Sequence, residues 1–436
     1  EGGQVRTPLG PIQASRSEPA QGLIELAQQA AGTLAGLVDP TISLSYSNYI
    51  PVVSYAAYAE YSAALDAFVH NDWRGAAERL ERAIELDSTW LTPRLTLTVT
   101  YRNGPWTAAK ADSVRLLSER MRDRANPLER AELDLQKGWY EGDREAAYRA
   151  VERAARLQPG GAMTFQWGYE AIRSNRLHQA VEILEGMDVN RPDVAPWVSY
   201  WRRLMSAYHM LGAYEEELDV SQRGLEHLPN AISSVESRAR ALIGLGRIPE
   251  ALTAIAEYRD RGGSLQYVLY LALELRAHGH PEEARAVLED VLAAVDRMSE
   301  DPGEARALRG GRAQTLYYLR RWEEARPIYE ELHAEDPQST TYLGSLGAIS
   351  ARLGEGEEAL RISRELGAMD RPYLFGSNTA WRARIAALLG DREEAVALLR
   401  QAHGEGQSFG LYFHREPDLE PLRDYPAFQE FMRPKG

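Results

Sequence analysis

The chain has 436 residues, of which 44% are apolar and 26% are charged, and its formal net charge is −14. A single hydrophobic core stops growing near roughly 250–300 residues, so the chain must divide into domains or grow as a repeat array. The acidic balance disfavours nucleic-acid binding, and the absence of cysteine excludes disulfides, thiolate metal sites and cysteine catalysis.

Residues 1–52 are predicted to form an N-terminal extended arm and a capping helix. Residues 1–20 hold several Gly, Pro and Ser residues, which are typical of an arm, and the apolar stretch of about residues 22–38 indicates a helix. The longest uncharged stretch, residues 40–59, is broken by Pro51, so it does not predict a membrane span. Because the chain opens with Glu1, we expect it to be a processed or trimmed product.

Tyrosines cluster where the arm meets the rest of the chain. Tyr46 and Tyr49 precede Tyr55, Tyr58 and Tyr61, which recur at three-residue steps. Two interpretations stay open: packing against the N-terminal helix, or an exposed aromatic patch that contacts a protein partner.

A six-residue phrase that ends in alanine recurs along residues 53–407. Its copies are NDWRGA (71–76), GDREAA (142–147), NRLHQA (175–180), GAYEEE (212–217), GRIPEA (246–251), GHPEEA (279–284), RRWEEA (320–325), GEGEEA (354–359) and GDREEA (390–395). The first interval between copies, 71 residues, is about twice the others, so we expect one diverged copy between residues 90 and 125. The spacing predicts about ten units of 34 residues.

The phrase is typical of the junction between two antiparallel helices. Glycine permits the positive φ that ends the first helix, glutamate complements the dipole of the second helix, and alanine lets the two helices approach closely. Proline recurs twelve residues beyond the last position, at Pro159, Pro192, Pro229 and Pro337, where it stops the second helix. The stretch LTLTVTY (95–101) alternates like a strand, but its position in the array predicts a helix.

Residues 408–436 are predicted to be a C-terminal capping segment. Pro426 begins a short helix. The apolar side chains expected to cover the last repeat are Leu419, Leu422, Tyr425, Phe428 and Phe431.

The period, the turn and the terminal proline resemble the tetratricopeptide repeat. The copy that fits best contains Trp201, Leu204, Tyr208, Gly212, Tyr214 and Pro229. It departs from the pattern at Glu217, where the family has alanine. The resemblance covers about four fifths of the chain and implies an all-α, right-handed superhelical solenoid with a protein-binding role.

In the family, the first helix of each repeat lines the inner surface. The resemblance therefore implies that this surface contains Phe165, Tyr169, Arg202, Ser206, His209, Glu236, Leu269, Tyr270, Gln314 and Tyr317. This set mixes aromatic, aliphatic and hydrogen-bonding side chains, as a peptide groove requires. It has few lysines or arginines, so it does not indicate a clamp for acidic C-termini.

A narrower resemblance concerns the stretches LERAELD (128–134), GDREAAYRAVERAARLQPG (142–160) and EPDLEPLRDYPAFQEFMRPKG (416–436). They are similar to the C-terminal repeat regions of large bacterial signalling proteins that carry a Ser/Thr kinase, cyclase or DNA-binding domain. In many relatives a membrane segment precedes the repeats, which slightly favours the periplasmic face.

The sequence predicts no enzyme, cofactor or metal site. His278 and His280 flank a glycine and could reach one metal, but two histidines on a turn are more typical of a solvated loop. The triplet His414-Arg415-Glu416 lacks the partner motifs of a kinase.

The leading hypothesis is a scaffold that docks a peptide or protein. The alternatives are a permanent subunit of a large, membrane-bound bacterial complex, and the sensory part of a longer signalling protein.

Overall fold

A computed structural model describes residues 26–27, 29–31, 53–191, 194–298 and 305–435. Twenty long helices follow one another in these residues. They are α1 (Tyr55–Val69), α2 (Trp73–Leu86), α3 (Thr92–Asn103), α4 (Ala108–Glu119), α5 (Pro127–Glu141), α6 (Arg144–Leu157), α7 (Ala162–Arg173), α8 (Leu177–Glu185), α9 (Val198–Met210), α10 (Tyr214–His227), α11 (Ile232–Gly244), α12 (Ile248–Asp260), α13 (Leu265–Ala277), α14 (Pro281–Arg297), α15 (Ala305–Tyr318), α16 (Trp322–Glu335), α17 (Thr340–Arg352), α18 (Gly356–Gly367), α19 (Ser377–Leu388) and α20 (Arg392–Gly404).

These helices form ten consecutive hairpins, and no strand occurs in the described ranges. The all-α solenoid class predicted from the sequence is therefore confirmed, while the handedness of the superhelix stays a prediction. The diverged copy expected between residues 90 and 125 is the hairpin of α3 and α4.

Helix α3 contains the stretch that alternates like a strand. The hydroxyls of Thr96, Thr98 and Thr100 donate to the carbonyls four residues before them, at 3.1, 3.1 and 2.9 Å. These bonds satisfy the polar groups of β-branched residues inside a helix, so the repeat context prevails over local propensity.

The recurring phrase forms the turns and contacts predicted for it. Gly212 and Gly246 end their helices with φ of 73° and 70°, values that L-residues rarely adopt. The alanines at the last position of the phrase are at most 1% exposed, and they are Ala76, Ala147, Ala180, Ala251, Ala284, Ala325, Ala359 and Ala395. Close packing of each hairpin therefore depends on this small residue.

The chain divides into two compact units. Unit 1 comprises the described residues up to Glu170 together with Glu182–Tyr200. In its first hairpin, Tyr58 and Tyr61 are buried, and the ring of Tyr61 lies edge-on to Trp90 with 4.8 Å between the centroids. Tyr55 stays 52% exposed, whereas Tyr46 and Tyr49 lie outside the described residues.

Unit 2 comprises Ala171–Val181 and the residues from Trp201 onwards. A continuous apolar core joins its hairpins from α11 to α17. After α20 the chain forms a single helical turn, α21 (Tyr412–Arg415), then a 3-10 helix (Pro417–Leu422) and the short helix α22 (Pro426–Met432). No helix among the described residues is both long and apolar enough to cross a membrane.

Candidate functional site

Residues 408–435, here called the C-terminal segment, pack against the first helices of several hairpins in unit 2. Helices α13, α15, α17 and α19 all contribute side chains that bond to it. We call this surface of unit 2 the inner face. The segment therefore covers much more than the last repeat, which is all that the sequence predicts for it.

The middle of the C-terminal segment is held by a buried ionic cluster. The Arg384 guanidinium donates to Asp418 Oδ2 at 2.6 and 2.9 Å and to Glu416 Oε1 at 3.2 Å. Arg352 donates to Asp418 Oδ1 at 3.0 Å, and the Tyr317 hydroxyl donates to the same oxygen at 2.6 Å. Two arginines thus neutralise two carboxylates away from water, and the hydroxyl satisfies part of the remaining hydrogen-bonding capacity.

The pKa values of the two carboxylates in this cluster shift in opposite directions. Burial would raise the pKa of Asp418, but the charges of Arg384 and Arg352 outweigh it and hold that pKa below its ordinary value. Burial raises the pKa of Glu416 by more than the charge of Arg384 lowers it. Asp418, which is 0% exposed, is therefore the firmly ionised anchor.

Both ends of the C-terminal segment are fixed within unit 2. The Phe409 amide donates to the Arg173 carbonyl at 3.0 Å, and the Asn175 side chain donates to the carbonyl of Arg433 at 2.9 Å. The rings of Phe409, Phe413 and Phe431 pack against one another with centroids 4.9 to 5.7 Å apart. The segment is thus an integral part of unit 2.

A second buried polar cluster lies deeper in unit 2, around Glu217. This carboxylate accepts from Arg240 Nη2 at 2.6 Å and contacts His209 Nδ1 at 2.7 Å. Arg240 Nη1 also donates to Glu236 at 2.9 Å. Burial would lower the pKa of His209, but the charges of Glu217 and Glu274 outweigh it and raise the pKa to about 9.

The sequence carried one signal for this cluster. Glu217 occupies the repeat position where the other described hairpins of the phrase have a buried alanine, and it is itself 0% exposed. Because a charged side chain at such a position requires buried partners, this departure marks the cluster. Its partners His209 and Arg240 come from two other helices, so spacing alone does not reveal them.

A cationic cleft opens beside the C-terminal segment. It is lined by Arg276, Tyr317, Tyr318, Arg320, Trp322, Arg352 and Pro417. Glu420 pairs with Arg276 at 2.9 Å and Asp418 with Arg352 at 3.0 Å, whereas no described carboxylate lies within ion-pairing distance of the exposed Arg320. The charge of Arg276 is the main factor that lowers the pKa of Arg320. This concentration of arginines differs from the sequence prediction, which placed few cations on the inner surface.

The side chains predicted to bind a partner do not form one exposed surface. Ser206, His209, Glu236, Leu269 and Tyr317 are buried, as is Tyr58 in unit 1. Phe165, Tyr169, Arg202, Tyr270 and Gln314 are half-buried. Within unit 2, Tyr270 stacks under the Arg415 guanidinium at 4.2 Å, so part of the predicted groove already contacts the C-terminal segment.

Residues 311–365 match the model of a family described as "Tetratricopeptide repeat". The matched range covers the hairpins of α15 to α18. A solved tetratricopeptide repeat protein from Parabacteroides merdae is similar at 15% identity and a TM-score of 0.32, with 65% of this chain and 94% of that chain covered. No curated protein matches the chain. The narrower resemblance to kinase and cyclase regions stays a prediction.

Proposed function

We propose that this tetratricopeptide-repeat protein is a non-enzymatic scaffold that binds an acidic segment of a partner protein at the inner face of unit 2. The observation that supports the proposal is that the inner face already holds a stretch of polypeptide outside the hairpins. Three acidic residues of that stretch, Glu416, Asp418 and Glu420, bond to arginines of the first helices. An inner face that holds acidic residues in this way is suited to similar residues of a partner.

Arg320 is the side chain that we expect to bind the partner, beside the C-terminal segment. Its guanidinium is exposed in a cleft where Arg276 and Arg352 are already paired. A partner carboxylate that bonds to Arg320 would offset the positive charge of the cleft. The partner therefore need not displace the C-terminal segment.

The experiment is a binding assay with extended peptides that differ only in whether they carry glutamate or glutamine. We expect the glutamate peptides to bind the wild-type protein more tightly, with an affinity that falls as salt is added. The variant Arg320→Glu should weaken that binding at least about tenfold, because it replaces attraction with repulsion. The matched control is Arg285→Glu on the second helix α14, where the side chain is 66% exposed.

The proposal is wrong if glutamate and glutamine peptides bind equally, or if the control variant weakens binding as much as Arg320→Glu does. The permanent-subunit and sensory roles, including membrane-bound complex partners, would use the same kind of surface. They stay predictions from the sequence.

A further inference from the structure

Three side chains with metal-binding atoms converge inside unit 2. His209 lies on α9, and Glu274 and His278 lie one turn apart at the end of α13. One ligand atom from each of the three lies within 4.8 Å of the others. Glu274 Oε2 is 3.4 Å from His209 Nε2 and 3.9 Å from His278 Nε2.

Neighbouring residues already bond the other polar atoms of this cluster. Glu217 holds His209 Nδ1 at 2.7 Å, so Nε2 faces Glu274. Arg415 donates to Glu274 Oε1 at 3.3 Å, whereas Oε2 is buried and has no hydrogen-bond partner. A carboxylate that orients the far nitrogen of a histidine is the usual second layer of a metal site.

The C-terminal segment borders this cluster through Arg415, which bonds Glu274 directly. His414, the residue before Arg415, has a buried Nε2 atom without a hydrogen-bond partner. Two potential ligand atoms in this part of unit 2, Glu274 Oε2 and His414 Nε2, are thus buried without a hydrogen bond.

We propose that His209, Glu274 and His278 bind a divalent cation of the zinc class. Two imidazoles and one carboxylate are a typical ligand set for Zn²⁺. With bonds of about 2.1 Å, the ligand atoms around a tetrahedral zinc stand about 3.4 Å apart. The His209–Glu274 pair has that separation, and the Glu274–His278 pair is about half an ångström longer.

Such an ion would have a structural role. It would connect α9 and α13, which do not follow one another in the chain. The sequence suggests His278 and His280 as a pair, but in the structure His278 lies with His209 and Glu274 instead.

The test is equilibrium dialysis of the tag-free, full-length protein against Zn²⁺, with the metal counted per chain. We expect one ion per wild-type chain, a thermal midpoint that rises with Zn²⁺, and a visible absorption band of a four-coordinate site when Co²⁺ is used. His278→Ala should lower the affinity at least about tenfold. The half-buried position of His278 at a helix end lets this variant keep its fold, which circular dichroism without metal checks.

The matched control is His280→Ala, two residues away, which should bind the ion as the wild type does. Less than one ion per wild-type chain would overturn the proposal. The same conclusion follows if His278→Ala keeps the wild-type affinity, or if His280→Ala loses as much. His209 would then be an imidazolium that bridges Glu217 and Glu274.

Discussion

Glu217 shows how one residue of a repeat can depart from its pattern and organise a unit. A buried alanine at this position contributes only close packing, whereas the buried glutamate holds both His209 and Arg240. Burying these charges is costly, and the cost is offset only while each group keeps its partners. Replacing Glu217 by alanine, the residue that the repeat favours at this position, should therefore destabilise the protein.

We expect Glu217→Ala to lower the free energy of unfolding by about 3–5 kcal/mol, because it leaves Arg240 buried without one of its two carboxylates. Chemical denaturation measures the change. The neighbouring Glu216→Ala, at an exposed position, is the control and should change stability by less than about 0.5 kcal/mol. Equal effects of the two substitutions would contradict the role given to the buried cluster.

At the level of single residues, the sequence predicts little of the candidate site. Glu217 can be seen to depart from the pattern, but its partners are 8 and 23 positions away along the chain. The ten side chains placed on the inner surface by resemblance include five that are buried. Position within a repeat predicts which helix a residue occupies, while the side chains that cover it come from elsewhere in the chain.

The hairpin is the element that the sequence predicts best, because its signals are local. A glycine at the end of one helix and an alanine in the next lie within six positions, and their physical roles need no distant partner. Even the stretch at residues 95–101 is helical, as the repeat array predicts, although its alternating pattern suggests a strand. The period therefore predicts the hairpins and their approximate length.

Alanine substitutions at two glycines distinguish a turn, which needs a positive φ, from a helix, which does not. Gly246 has φ of 70° and open space where a Cβ would stand, with no atom within 4 Å, so Gly246→Ala should cost about 1–2 kcal/mol through backbone strain alone. Gly310 lies inside α15 with equally open surroundings, so Gly310→Ala should stabilise the protein by about 0.5–1 kcal/mol. Thermal unfolding measures both, and changes of the same sign would contradict this account of the turns.

Among the described residues of unit 2, the C-terminal segment bonds to hairpins that are far from it in the chain. Glu420 bonds to Arg276 across 144 positions, and Glu416 bonds to Tyr318 across 98. Contacts at such separations depend on how the hairpins stack, which no local pattern specifies. The sequence therefore predicts a C-terminal cap but does not predict that it covers the inner face.

The most direct test of the central claim is backbone hydrogen exchange in the full-length protein, followed by mass spectrometry of its peptides. If the inner face binds the C-terminal segment as an integral part of unit 2, hydrogen-bonded amides such as those of Phe409 and Leu419 should exchange as slowly as those of α13 and α15. Fast exchange throughout residues 408–425, with the hairpin helices still protected, would contradict it. The inner face would then not hold the C-terminal segment, and the proposed binding of an acidic partner would lose its support.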